Sequence, residues 1–149
     1  MEKNKFKVFL NTNVLLDVLS IPKRASADAS RIVVQAVFSG IVEGVLTTQS
    51  ILDAAYILSR TSDSFDREGF GRCVLTLMNY FYVDSIHIFD IRDAIKDSDG
   101  DFEDDAQFAH AQAEGCDAII TSDREFRRRK GASGILFFSP EEFVERLRG

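Results

Sequence analysis

The chain reads as an α/β protein with a parallel sheet and helices on both of its faces, and three observations predict this. Short apolar runs such as KVFL at 7–10 and DAIIT at 117–121 are separated by longer stretches of helical periodicity. DAIIT is compact and apolar throughout, as expected of a strand covered on both sides. Caps and stops punctuate the runs, with no internal repeat, low-complexity tract or linker-like stretch between them.

Strand one covers Lys7 to Leu10, and Asn13 to Leu19 forms a short helix ended near Pro22. Ser26 to Ser39 is a second helix, with Ile32, Val33, Ala36 and Val37 on one face and Gly40 as its stop. Gly44 to Thr47 is a second strand. Thr48 or Ser50 caps the helix through Arg60, whose apolar residues Ile51, Leu52, Ala55, Tyr56, Ile57 and Leu58 cover most of its circumference and predict deep burial. After the polar break TSDS, Asp66 caps a helix to about Tyr80, and a third strand lies near Tyr82 to Val83. A helix near Ile88 to Lys96 leads into the acidic run DSDGDFEDD at 97–105. Asp99 or Asp101 caps the following helix to Glu114, and Gly115 closes it. The strand at 117–121, the strand GILFF and a helix from Pro140 onward complete the order. In parallel sheets ligands gather at the carboxyl ends of strands, where Asn11 and Asp123 fall.

At 149 residues and 45% hydrophobic content, a single domain over 1–149 with one substantial core is expected. No run of about 18 apolar residues and no long apolar segment near the start suggests a membrane span or a secretory signal, so a cytoplasmic protein is expected. Cys73 and Cys116 sit in apolar patterns and read as buried small hydrophobes rather than a disulfide. The balance of 18 basic and 24 acidic side chains gives −6, which excludes coating nucleic acid through bulk charge. Any such contact must be local. Arg124, Arg127, Arg128, Arg129 and Lys130 crowd the stretch after Asp123, either as a solvated helix end or as a contact to an RNA backbone or acidic partner.

The acids carry the chemistry. Asp101 and Asp104 stand three positions apart, on one helical face, so both carboxylates can address one site. Asp123 leaves the end of a buried strand. Asp53 is flanked by Ile51, Leu52, Ala54 and Ala55, and an unpaired carboxylate in such surroundings needs a partner. A divalent ion, Mg2+ or Mn2+, meets these needs together, because such ions take oxygen ligands and leave room for substrate phosphates. Ions held this way also supply a nucleophile from water and stabilise the leaving oxygen in phosphodiester cleavage. Asn11 stands where this pattern leads one to expect another aspartate. The blander roles are a turn residue for Asn11, a helix cap for Asp101 and an internal ion pair for Asp53 or Asp123. Asp17 and Asp105 read as solvated helix positions, and His87 and His110 as ordinary surface or helix-face residues.

NTNVLLDVL at 11–19, SILDAAYILSR at 50–60, DFEDDAQFAHA at 101–111 and DAIITSDREF at 117–126 together resemble the PIN-domain family. The family's segments open with DTNVLLD, continue with a second-acid helix and a DFEDA helix, and close on a TxD strand end. The resemblance implies a three-layer α/β/α sandwich around a parallel sheet of about five strands. It also implies a metal-dependent ribonuclease, a family that includes toxins of bacterial toxin and antitoxin pairs, often dimeric. Asp53, Asp104 and Asp123 then correspond to metal-binding acids, Asn11 to the first acid's position and Asp101 to a frequent extra acid. Asn13 would orient the first side chain, and Thr121 would hydrogen-bond near the site. Two departures stand out: Asp53 replaces what is more often Glu, and Asn11 replaces Asp. The expectation is an Mg2+- or Mn2+-dependent endoribonuclease with Arg124, Arg127 or their neighbours steering RNA, an antitoxin as partner, and a homodimer. The rival expectation is a PIN-fold module that binds RNA or protein because Asn11 has weakened catalysis. A phosphatase with DxD after its first strand fits NTN poorly.

Overall fold

In the computed structural model, residues 4–20, 24–96 and 100–149 are described. Five strands form one sheet: β1 (Lys7–Leu10), β2 (Glu43–Thr47), β3 (Tyr82–Asp84), β4 (Ala118–Ile120) and β5 (Leu136–Phe138). Their order is β3-β2-β1-β4-β5, and every neighbouring pair is parallel, with Phe9 opposite both Val45 and Ile119. The helices among the described residues are α1 (Thr12–Leu19), α2 (Ala27–Phe38), α3 (Thr48–Thr61), α4 (Arg67–Tyr80), α5 (Ile88–Lys96), α6 (Phe102–Ala113), α7 (Arg124–Lys130) and α8 (Pro140–Arg148).

Successive strand residues point to opposite faces, and this alternation builds two cores. Val8, Leu10, Leu46, Ala118 and Ile120 face α1, α2, α3, α4 and α8 through residues such as Leu15, Val33, Leu58, Leu77 and Phe143. Phe9, Val45, Ile119 and Phe137 face α6 and α7 through Phe108, Ala111 and Phe126. The result is the expected three-layer α/β/α sandwich. Because the chain builds β2 and β3 on one side of β1 and then β4 on the other, the topological switch lies between β1 and β4. There the backbone N–H of Asn11 extends the ladder to the Ile120 carbonyl at 3.1 Å, which sets Asn11 at the carboxyl ends of both strands.

Most expected elements are present. Gly40 and Gly115 take φ of 75° and 70° after α2 and α6, the left-handed turn that glycine makes without a Cβ clash. The helix stop at Pro22 and the alternative cap at Asp99 lie outside the described residues.

Several expectations are corrected. The cap of α3 is Thr47, which accepts from the Ser50 N–H at 3.1 Å, rather than Thr48 or Ser50. The helix is not buried around its circumference: Ser50, Ala54 and Leu58 face the core, whereas Leu52 and Tyr56 are 64% and 62% exposed. Its apolar content exceeds the surface that neighbouring elements cover. Asp17 and Asp105 are buried rather than solvated, because each meets cations remote enough in sequence to escape notice. Asp17 accepts from Arg24 Nε at 3.0 Å and Ser30 Oγ at 2.9 Å, and Asp105 pairs with Arg129 Nη1 at 2.9 Å and Lys130 Nζ at 3.7 Å. His110 is completely buried, its Nδ1 held 3.0 Å from Asp90 Oδ2. Cys116 is buried, which pushes its thiol up to about 12, but Cys73 is exposed.

Candidate active site

Asn11, Asn13, Asp53, Asp101, Asp104 and Asp123 line one open cleft of about 400 Å³, together with Thr12, Leu16, Tyr56, Ile57, Glu103 and Gln107. Each arrives from an element end or a helix face around the switch point. Asn11 occupies the N-cap position of α1 directly after β1 without a side-chain capping bond, and Asp123 caps α7 shortly after β4. Asp101 caps α6, Asp104 lies in its first turn, and Asp53 projects from α3.

Backbone donors set the orientation of the amides. The Ser122 N–H donates to Asn13 Oδ1 at 3.2 Å, so Asn13 turns its Nδ2 to Thr121 Oγ1, also 3.2 Å away. Thr121 Oγ1 accepts from the Asp123 N–H as well, at 3.1 Å. A hydroxyl has one proton, and with both acceptor positions used, Thr121 donates it to Asn11 Oδ1 at 3.1 Å. Asn11 is 3% exposed, and its Nδ2 donates to Gln107 Oε1 at 2.8 Å while lying 3.5 Å from Asp104 Oδ1. Gln107 continues the chain by donating to Thr12 Oγ1 at 3.1 Å. Thus the amide at this position offers nitrogen, not oxygen, toward Asp104.

The carboxylates crowd one another. Among the described residues, none of Asp53, Asp101, Glu103, Asp104 and Asp123 makes an ion pair. Burial, followed by the negative charges of Asp101 and Asp123, pushes Asp104 up to about 6, against the opposing pull of the Asn11 amide and Arg129. A hydrogen bond to Asp53, then partial desolvation and the charges of Asp53, Asp101 and Asp104, push Glu103 up to about 7. Asp101 and Asp123 each use Oδ1 as a helix cap, Asp101 for the Asp104 N–H at 3.0 Å and Asp123 for the Glu125 and Phe126 N–H groups. Capping and ion binding are therefore compatible, since each retains Oδ2. A set of carboxylate oxygens held in no ion pair among the described residues suits a hard divalent cation. Asn11 adds no charge to it.

The basic stretch behaves differently. Arg124 and Arg127 line a separate hollow with Arg128, Gly131, Leu136 and Phe137, and Arg127 forms a two-point pair with Glu142. Arg128 pairs with Glu125, and Arg129 and Lys130 turn inward to Asp105. Glu103 and Gln107 were not singled out in the sequence. Their signal was spacing: Gln107 stands three residues after Asp104, on the same face of α6.

Comparison with curated proteins finds no significant match. The fold is similar to that of Mycobacterium tuberculosis VapC20, described as a toxin that cleaves the sarcin-ricin loop: TM-score 0.64, 13% identity, covering 82% of this chain and 94% of that one. A toxin-antitoxin complex from Klebsiella pneumoniae gives TM-score 0.63 at 15% identity, covering 89% and 97%. PAE2754 from Pyrobaculum aerophilum gives TM-score 0.64 at 16% identity, covering 96% and 90%. Residues 7–125 match the family model described as PIN domain, and this chain belongs to the PIN-domain family.

Proposed function

We propose that the chain is a divalent-metal-dependent endoribonuclease of the toxin type, with Asp53, Asp101, Asp104 and Asp123 holding Mg2+ or Mn2+. The observation that carries this reading is the convergence of five carboxylates on one cleft, none of them in an ion pair among the described residues, with Asp104 pushed up to about 6 and Glu103 to about 7. A bound ion supplies that charge and the acidity that turns water into a nucleophile at neutral pH. The cleft is open, so a phosphodiester backbone can lie across it. Asn13 and Thr121 fix Asn11, and Gln107 locks it from the α6 side. Arg124, exposed and next in sequence to Asp123, steers the RNA strand as it leaves the cleft toward the neighbouring hollow, which Arg127 lines while paired with Glu142.

The family and the likeness to a toxin-antitoxin complex support an antitoxin as the protein partner. Exposed Leu52 and Tyr56 on α3, beside the cleft, offer apolar surface for such a partner or for a second copy in a homodimer. VapC20 is described as cleaving the sarcin-ricin loop, which favours structured RNA as the substrate class here. Among the described residues, no helix is long and apolar enough to cross a membrane.

One observation favours a second reading, an RNA- or protein-binding module. Asn11 Oδ1 is committed to Thr121 and its Nδ2 faces the acids, so the amide cannot replace the aspartate's charge. RNA cleavage with Mg2+ or Mn2+ separates the two. The natural chain is expected to cut RNA, and Asp104→Ala to lose roughly a hundredfold or more. Full activity in Asp104→Ala would end the carboxylate mechanism. Cleavage that appears only in Asn11→Asp would establish the binding module instead.

A further inference from the structure

Away from the cleft, α5 packs against α6 around two imidazoles, and their surroundings are those of metal ligands. His110 is completely buried in α6. Its Nδ1 lies 3.0 Å from Asp90 Oδ2, an acceptor, so the proton resides on Nδ1 and the lone pair on Nε2. His110 Nε2 is the one buried side-chain nitrogen or oxygen among the described residues with no hydrogen-bond partner. Native proteins rarely leave such an atom unused. Glu114 Oε1 lies 3.9 Å away, one turn further along the chain from His110, which is too far for a hydrogen bond, and it is itself an acceptor.

His87 closes the third side. It lies just before α5 with its ring stacked on His110, centroids 5.6 Å apart at 30°. Its Nε2 is 3.0 Å from Asp84 Oδ2, at the end of β3. Each imidazole therefore has one nitrogen on a carboxylate and the other without a partner among the described residues. Asp90 Oδ2 positions both histidines, because it also accepts the His87 backbone N–H at 2.9 Å. A carboxylate behind a histidine is the usual arrangement that fixes tautomer and ring orientation in metal sites.

We propose that His87, His110 and Glu114 form a second metal site, for a borderline transition-metal ion of the Zn2+ class. One ligand atom from each lies within 4.8 Å of the others. Tetrahedral ligands about 2.1 Å from an ion are about 3.4 Å apart, so a contraction of at most about 1.4 Å between ligand atoms completes the site. His87 is exposed and Glu114 only half-buried, so both side chains can supply it. Two nitrogens and one carboxylate select Zn2+, Co2+ or Ni2+, whereas the all-oxygen cleft suits Mg2+ or Mn2+. Three protein ligands leave one coordination position for water or for a group of a bound partner. His110 follows Asp104 by six residues, about 9 Å along the helix axis, so α6 carries a different ion site toward each end.

The test is calorimetric titration of the metal-free full chain with Zn2+ alone. One Zn2+ per chain is expected to bind at this site, with His87→Ala and Glu114→Gln each weakening it at least tenfold. Asp104→Asn, in the cleft, should leave it within about threefold, so that loss of this site and loss of the cleft are distinguishable. His87 is exposed, Glu114 is partly exposed and neither belongs to the two apolar cores, so both variants leave those cores intact. No Zn2+ binding by the natural chain, less than tenfold weakening in either variant, or loss on Asp104→Asn overturns the proposal.

Discussion

Asp17 and Asp105 are buried more deeply than Asp53, Asp101, Glu103, Asp104 or Asp123, and the two groups also differ in company. Asp17 has Arg24 and Ser30, and Asp105 has Arg129 and Lys130. The cleft acids have hydrogen-bond donors and one another, but no ion pair among the described residues. Burial by itself does not make a carboxylate available for chemistry; a missing counter-charge does. The paired acids hold helices together, and the unpaired ones raise the energy of the folded chain through their mutual repulsion.

The largest effect should come from breaking a paired acid. Asp105→Ala leaves Arg129 and Lys130 facing a buried gap and is expected to cost about 3–5 kcal/mol, lowering the melting temperature by roughly 10 °C or more. Thermal unfolding followed by circular dichroism checks this. A loss under about 1 kcal/mol would erase the distinction between the groups.

A smaller effect of opposite sign is expected at the cleft. The folded-state pKa of Asp104 is raised to about 6, so its ionisation opposes folding. Stability from this group is complete below the ordinary carboxylate value, is lost as pH rises from about 4 through 6, and stays lost above that. Without metal, Asp104→Asn should therefore stabilise the chain at pH 8 by about 1–2 kcal/mol after allowance for solvent screening, and by almost nothing at pH 4. Equal effects at both pH values would show that packing, not charge, governs the site.

The same distinction explains what could be read from the sequence. Strand and helix order was legible because apolar runs, caps and Gly40 and Gly115 are local signals. The cleft was legible because Asn11, Asp53, Asp101, Asp104 and Asp123 sit at element ends or in conspicuous apolar settings. Partners were not legible. Asp105 and Arg129 are 24 positions apart, Asp90 and His110 are 20, and nothing local marks either pair. For the same reason α3 looked buried all round: its periodicity shows how much apolar surface it has, not how much its neighbours cover.

Asn11 lies on the boundary between the two groups, since its Nδ2 is the neutral donor that partly answers Asp104. Asn11→Asp replaces that donor with another charge, and without metal at pH 8 it is expected to lower stability by about 1 kcal/mol. Mg2+ should stabilise the Asp variant more than the natural chain and close or reverse the gap, because a ligand that binds only the folded state adds about 2.7 kcal/mol at a hundred times its Kd. Melting both proteins with and without Mg2+ gives four curves. One common Mg2+ shift for the two proteins would mean that this position does not sense the ion.

The smallest effect should be at Arg127, which is paired like the structural acids but lies at the surface. If a counter-charge stabilised regardless of depth, Arg127→Ala would cost as much as Asp105→Ala. Exposed pairs exchange ion contacts for water at little net gain, so a loss of no more than about 0.5 kcal/mol is expected, shrinking further in high salt. Denaturant melts at low and high ionic strength measure it. A loss of several kcal/mol would place the decisive variable in pairing alone, while a negligible one requires pairing and burial together, the combination found at Asp105 and missing from the cleft.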